Sequence, residues 1–240
     1  MKATRHPVEL TWLGHSAFRC VSPSDKTLLF DPWLDNPKAP AEAKQIEKVD
    51  LILISHGHSD HVGNAVELAQ RTHARVVAIY ELSLFFQSQG VGTAMGMNKG
   101  GTVDIDGIKV TMVDAKHSCD IDTNGKVAAP GGEAAGFVVE LENGFTLYHA
   151  GDTALFGDMR LIGKLYKPDA VLIPIGDLYT MGPREAAMAC DLLKPKYIIG
   201  MHYGTFPVLT GTPHLLKKHL HTKMKRKLLE LEPGVPIPLQ

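Results

Sequence analysis

Apolar and polar positions along this chain fall into short blocks separated by turn-forming residues, and the period within each block predicts its element. Val8 to Leu13, Ala17 to Val21 and Lys26 to Phe30 read as strands, the third running into Asp31-Pro32-Trp33. The Pro-, Ala- and Lys-rich stretch Asn36 to Glu47 reads as a loop with a short helix. Val49 to Ser55 is an apolar run suited to a buried strand, and Val62 to Arg71 has helical spacing. Ala74 to Ile79 reads as a strand and Glu81 to Gln89 as a helix. Gly90 to Gly101 holds five glycines and predicts a loop or turn, without the residue order of a phosphate-binding loop.

The second half repeats the scheme. Val103 to Ala115 predicts a hairpin turning at Asp106-Gly107, and Ala135 to Leu141 with Phe145 to His149 predicts another around Glu142-Asn143-Gly144. The polar, glycine-rich Ser118 to Gly132 between them reads as a surface loop. Helix Met159 to Tyr166, strand Ala170 to Ile175, helix Pro183 to Leu193 and strand Tyr197 to Met201 follow, with His214 to Lys227 as a last helix before a Pro-rich tail. In both halves strands come first and helices later. Lys26 to Pro32 (KTLLFDP) faintly echoes Phe145 to Asp152 (FTLYHAGD), a hint of internal duplication. No linker-like composition divides residues 1–240, so a single α/β domain is expected.

Composition narrows the class. A chain of 240 residues, 44% hydrophobic, can bury a substantial core. A net charge of −1 gives no global attraction to nucleic acid or to an anionic membrane surface, and the basic run Lys217 to Lys227 reads as a solvated helix face. Met1 to Pro7 lacks the apolar stretch of a signal peptide. No apolar run approaches the ~18 residues of a membrane span. Cys20, Cys119 and Cys190 are an odd, scattered set that argues against a disulfide framework, so a cytoplasmic location is expected.

The chemistry concentrates in His56-Gly57-His58-Ser59-Asp60-His61, between a predicted strand and a predicted helix. Imidazole and carboxylate at this density suit zinc, iron, manganese or nickel. A strand-to-helix turn lets such side chains converge, whereas a continuous strand would send alternate residues to opposite faces. His117, Asp152, Asp177 and His202 each follow a predicted strand, so all fall at strand ends, where rigid elements can hold a common site. His6, His73, His214, His219 and His221 stand in polar contexts and are expected to be solvated, and His149 reads as a packed strand residue.

The order H-x-H-x-D-H, then His117, Asp152 in Gly151-Asp152-Thr153, and His202 resembles the metallo-β-lactamase fold superfamily. The motifs Trp12-Leu13-Gly14-His15-Ser16, Asp31-Pro32-Trp33-Leu34, Gly96-Met97-Asn98-Lys99-Gly100-Gly101 and Ala115-Lys116-His117-Ser118 look like its compact metal-dependent hydrolase family. So do His149 to Thr153, Pro174-Ile175-Gly176-Asp177 and Met201-His202-Tyr203-Gly204-Thr205. That family is similar to the L-ascorbate 6-phosphate lactonases. The resemblance spans about Val8 to Leu209 and implies a four-layer αββα sandwich with its site at one edge between the sheets. It further implies two divalent metal ions, zinc or manganese first, with iron or nickel as alternatives. His56, His58 and His117 would hold one ion, Asp60, His61 and His202 the other, and Asp152 would bridge them around a hydroxide nucleophile. Asp60 would also orient that hydroxide or collect its proton.

Other positions stay open between two roles. His15 either polarises a substrate oxygen or fixes a loop. Asp31 either accepts a hydrogen bond from a ligand histidine or forms the turn before Pro32. Asp177, Tyr179 and Thr180 line a pocket rim or merely lead into a helix, and Tyr203 is core or contact. Cys119 lies near His117 but the implied ligand set is complete without it. The leading expectation is hydrolysis of a small-molecule ester or lactone, with no nucleic acid or membrane partner and with self-association compatible with the resemblance. The competing expectations are a phosphodiesterase on the same site, a mono-iron dioxygenase using the first-ion residues, and an inactive metal-bound scaffold.

Overall fold

The computed structural model describes residues 7–123 and 126–240; His6 lies outside the described residues, as do all the residues before Pro7. Strands β1 (Val8–Trp12), β2 (Phe18–Val21), β3 (Thr27–Phe30), β4 (Leu51–Leu53), β5 (Arg75–Ile79) and β6 (Ala94–Met97) follow the first half of the chain. The second half supplies β7 (Thr102–Ile105), β8 (Ile108–Asp114), the short hairpin β9 (Ile121–Thr123) and β10 (Lys126–Ala129), then β11 (Ala135–Glu140) and β12 (Thr146–His149). It ends with β13 (Ala170–Pro174), β14 (Tyr197–Met201), β15 (Leu228–Leu229) and β16 (Pro236–Leu239). Helices α1 (Ser59–Val62), α2 (Ala65–Thr72) and α3 (Tyr80–Ser88) belong to the first half, and α4 (Met159–Tyr166), α5 (Pro183–Leu193), α6 (Pro213–His219) and α7 (Thr222–Lys225) to the second.

Two seven-stranded mixed sheets result, ordered β16-β1-β2-β3-β4-β5-β6 and β7-β8-β11-β12-β13-β14-β15. Helices flank them, giving the four-layer αββα sandwich that was expected. In both sheets the first four strands are antiparallel neighbours and the last four are parallel. The two sheets therefore share one topology, except that the C-terminal β16 supplies the first sheet's outer strand.

The sequence echo marks equivalent positions in this duplication. Asp50 accepts from the Thr27 amide at 2.7 Å, and Asp169 accepts from the Thr146 amide at 2.9 Å. The Phe30 and His149 rings, equivalent in the echo, stack on each other across the interface at 5.2 Å and 9°. The central parallel strands β4 and β13 are buried throughout, as their apolar runs require.

Four segments differ from the sequence expectation. The helix expected over Val62 to Arg71 is broken, because Gly63 turns at φ 41° where a Cβ would lie 2.4 Å from the Trp33 Cα. There the Asn64 amide donates to the Pro32 carbonyl, docking the turn onto the Asp31–Leu34 segment. The Gly90 to Gly101 loop contains β6, whose glycine spoils the alternation but which pairs in parallel with β5. The Ser118 to Gly132 loop contains the β9–β10 hairpin, too polar to show a strand pattern and held by tertiary contacts. The last helix splits into α6 and α7 because Leu220 turns extended (ψ 143°) and buries its side chain.

Candidate metal centre

The histidines and aspartates singled out above converge on one end of the parallel strands. His56 follows β4 and is fully buried, and Asp60 and His61 sit on α1. His117 follows β8, Asp152 follows β12 and His202 follows β14. Donor atoms fall into three groups, each within 4.8 Å: His56, His58 and His117; His15, Asp60, His61 and His202; and His56, His61 and Asp152. Asp152 Oδ2 reaches across them, 2.9 Å from His202 Nε2, 3.3 Å from His61 Nε2 and 3.7 Å from His117 Nε2. Cys119 is turned away, its thiol donating to the Gly131 carbonyl.

Asp31 fixes two of these rings. Its Oδ1 accepts from the Ser55 amide at 2.7 Å, and its Oδ2 accepts from the Ser55 hydroxyl at 2.6 Å and from His61 Nδ1 at 2.7 Å. Because the Ser55 hydroxyl donates to the carboxylate, its oxygen is left to accept from His56 Nδ1, 2.9 Å away. Both imidazoles thus carry a proton on Nδ1 and turn Nε2 into the cluster, the orientation a metal ligand needs. Of the two roles left open for Asp31, the hydrogen-bond acceptor is the one observed.

A second chain runs through His15, which is fully buried. His15 Nε2 donates to Asp60 Oδ2 at 3.1 Å, and its Nδ1 accepts from the Thr205 hydroxyl at 2.6 Å. Burial pushes the His15 pKa down to about 4, so the ring is neutral at physiological pH. Asp60 is held below the ordinary carboxylate range: burial opposes its ionisation, but His61 and the His15 hydrogen bond outweigh that cost. Asp152 is likewise held low, its burial outweighed by His202 and His61. His61 is pushed up despite burial, because Asp152, Asp31 and Asp60 surround it.

The backbone is strained here. His15 (φ 51°), Asp31 (φ 41°) and His202 (φ 56°) all occupy the left-handed region that non-glycine residues avoid. Such conformations cost of order 1–3 kcal/mol each and persist where the surroundings impose them. The His15 carbonyl meets that demand by accepting from Trp12 Nε1 at 2.9 Å and from the His202 amide at 3.0 Å.

A cavity of about 560 Å³ opens over the cluster. His58, Asp60, His117, Asp152 and His202 reach it, and Trp33, Val127, Tyr179 and Phe206 form its apolar side. His15 does not line it, and of the rim candidates Asp177, Tyr179 and Thr180 only Tyr179 does. Among the described residues, no lysine or arginine lines it. Tyr203 stacks on Trp12 outside the cavity, His149 is packed as expected, and His73, His214, His219 and His221 are exposed. Sequence reading missed Ser55, Thr205 and Phe206, since a hydroxyl or ring that acts across 24 or 190 positions leaves no local pattern.

The residue set fits a metal centre on its own chemistry. Among the described residues, His61 Nε2 and Asp152 Oδ1 are buried and make no hydrogen bond, although His61 Nε2 lies 3.3 Å from the other oxygen of Asp152. A ring nitrogen and a carboxylate oxygen left so are costly unless a cation holds them.

Comparison with known proteins agrees. The model of a beta-lactamase superfamily domain matches residues 26–203. A UPF0173 metal-dependent hydrolase of Koribacter versatilis is 50% identical, the match covering 95% of this chain and 96% of that one. One of Methanosarcina barkeri is 46% identical, covering 97% and 99% respectively. Igni18, a metallo hydrolase of the archaeon Ignicoccus hospitalis, superposes with a TM-score of 0.85 at 34% identity over 97% of this chain and 98% of that one.

Proposed function

The chain belongs to the beta-lactamase superfamily, among the UPF0173 metal-dependent hydrolases, and from that premise we propose that it hydrolyses a small ester or lactone at a centre of two divalent cations. His56, His58 and His117 would hold one cation and Asp60, His61 and His202 the other, with Asp152 available to both groups. The observation that carries this reading is that His61 Nε2 and Asp152 Oδ1 are buried and make no hydrogen bond among the described residues, set among imidazoles whose orientation Asp31 has fixed. When bound, zinc or manganese would supply Lewis acidity and lower the pKa of a water toward ~7.

The side chains do the rest. Asp60 offers Oδ1 to the cavity, because Oδ2 is taken by His15. Its low pKa keeps it ionised, so it can accept a hydrogen bond from the attacking water and orient it. His15, buried and bonded at both nitrogens, acts on substrate only through Asp60, and is a positioning residue backed by Thr205. The cavity over the cluster brings substrate to these groups while the sheets exclude water from their far side.

The test is a hydrolysis panel of lactones, carboxylic esters, thioesters, phosphodiesters and a β-lactam, using protein reconstituted with zinc or manganese. Turnover of an ester or lactone, about 100-fold lower in Asp60→Asn while most of its metal is kept, is expected when the carboxylate that orients the attacking water is lost. Turnover confined to phosphodiesters, or an unaffected Asp60→Asn, contradicts the reading.

A further inference from the structure

The cavity wall is apolar on the side away from the histidines. Trp33 and Phe206 stack at 5.7 Å and 22°, and each sets an edge against the buried His15 ring, at 5.1 and 5.6 Å. Both remain partly open to the cavity. Tyr179 is 55% exposed and Val127 is 70% exposed. A cluster of aromatic and aliphatic surface beside a polar centre is surface left for a ligand to cover. Tyr179 is presented by strained backbone, since Asp177 and Leu178 take φ 69° and 50° in succession. Such strain is retained where the placement of a side chain matters.

The charges around this wall are arranged in one sense. Among the described residues, Asp122 is the one charged lining residue outside the ligand set, and its Oδ2 is occupied by the Ser59 amide at 3.1 Å. Three nearby lysines are engaged elsewhere, and Lys126 precedes Val127 on β10, where successive side chains point to opposite faces. Lys116 pairs with Asp114, Lys99 with Asp114 and Glu133, and Lys38 lies over the Trp12 and Tyr203 rings. A phosphate carried at a distance from the reacting carbon would meet neither a guanidinium nor an ammonium here, and would be desolvated beside aromatic rings.

Building on the hydrolase reading above, we propose that Trp33, Phe206, Tyr179 and Val127 form an apolar subsite for the uncharged aryl or alkyl flank of the substrate, with no seat for a remote phosphate. The substrate class is then a neutral, hydrophobic ester or lactone rather than a phosphorylated sugar derivative. Phe206 sets the preference for the flank, since its ring stands free of the hydrogen-bond network that holds the centre.

The test separates recognition from turnover. Calorimetric titration of the zinc-loaded protein compares acetohydroxamate with benzohydroxamate, which share a metal-binding head, and 4-tert-butyl- with 4-phosphonobenzohydroxamate, which share a shape. Benzohydroxamate is expected to bind about tenfold or more tightly than acetohydroxamate, from ring burial. The tert-butyl compound should exceed the phosphonate by a similar factor, and Phe206→Ala, its fold checked by circular dichroism, should cut the ratio of benzohydroxamate to acetohydroxamate affinity to less than about threefold. Phe206→Leu, which keeps an apolar wall, should restore most of the gain. Equal affinities regardless of flank, or tighter phosphonate binding, overturn the subsite even if esters are hydrolysed. A flank preference without turnover of any ester or lactone supports the subsite and overturns the ester-hydrolase reading instead. Absence of binding by all four compounds overturns both.

Discussion

At the scale of single residues, who donates to whom decides how the cluster is held. Asp31 accepts from His61 directly and from His56 through Ser55, so it fixes the Nδ1 proton of two rings that face the cluster. Asp31→Asn, which offers an amide N–H in place of one acceptor, is expected to weaken zinc affinity about 10–100-fold in a competition titration. Unchanged affinity would show that the rings need no such guidance. His149, whose Nε2 lies 4.0 Å from Asp31 Oδ2, allows a pH prediction beside the centre. Its Nε2 donates to the Ser16 carbonyl at 3.0 Å and its Nδ1 accepts from the Gly151 amide at 3.2 Å, so the folded ring is neutral, and burial lowers its pKa. Below the unfolded value of about 6.5 the unfolded chain takes up a proton that the folded chain refuses. This contribution to stability is complete above about pH 6.5 and shrinks as pH falls toward the lowered folded pKa. Urea unfolding at pH 7 and pH 5 should show His149→Gln less stable at pH 7 but losing less on acidification than the unsubstituted protein; an equal loss refutes the assignment. The dense run His56 to His61 was legible in the sequence because its ligands are adjacent. The roles of Ser55, Thr205 and Phe206 were not, because each depends on a contact made only by folding.

At the scale of elements, the site is a set of strand ends, and the glycines between them govern how closely those ends approach. Gly57 separates two histidines of the cluster, and a Cβ there would stand 2.5 Å from the Cys119 carbonyl oxygen, backbone that cannot step aside. Gly57→Ala is therefore expected to push the loop after His117 away from the cluster, costing about 1–3 kcal/mol by overpacking. Thermal melts of that variant beside Gly92→Ala, where nothing lies within 4 Å, provide the check, and equal melting temperatures would contradict it. Regular strands and helices were readable from their periods. Those that needed a partner were not: β6 exists through its pairing with β5, and the β9–β10 hairpin through the Asp122 contact to α1. A two-stranded hairpin of this length is marginal by itself, so no local pattern announces it.

For the molecule as a whole, two copies of one topology meet face to face and place their strand ends together. The echo between Lys26 to Pro32 and Phe145 to Asp152 was a faint trace of this, because only positions with a repeated structural duty, such as Thr27 with Asp50 and Thr146 with Asp169, have kept related chemistry. Both halves feed the centre: His15, Asp31 and the His56 to His61 turn come from one, and His117, Asp152 and His202 from the other. No helix among the described residues is long and apolar enough to cross a membrane. Family and metal-dependent hydrolysis were thus accessible from ligand order, whereas the cavity wall, assembled from four separate segments, required the fold. The most direct test of the central claim is a metal count by titration of metal-stripped protein, read beside ester and lactone turnover, in the unsubstituted chain and in Asp152→Ala. The account predicts two equivalents bound with activity completed by the second, and fewer than two with turnover abolished in Asp152→Ala. Full activity with a single equivalent, or an Asp152→Ala protein that binds two and turns over normally, would contradict it.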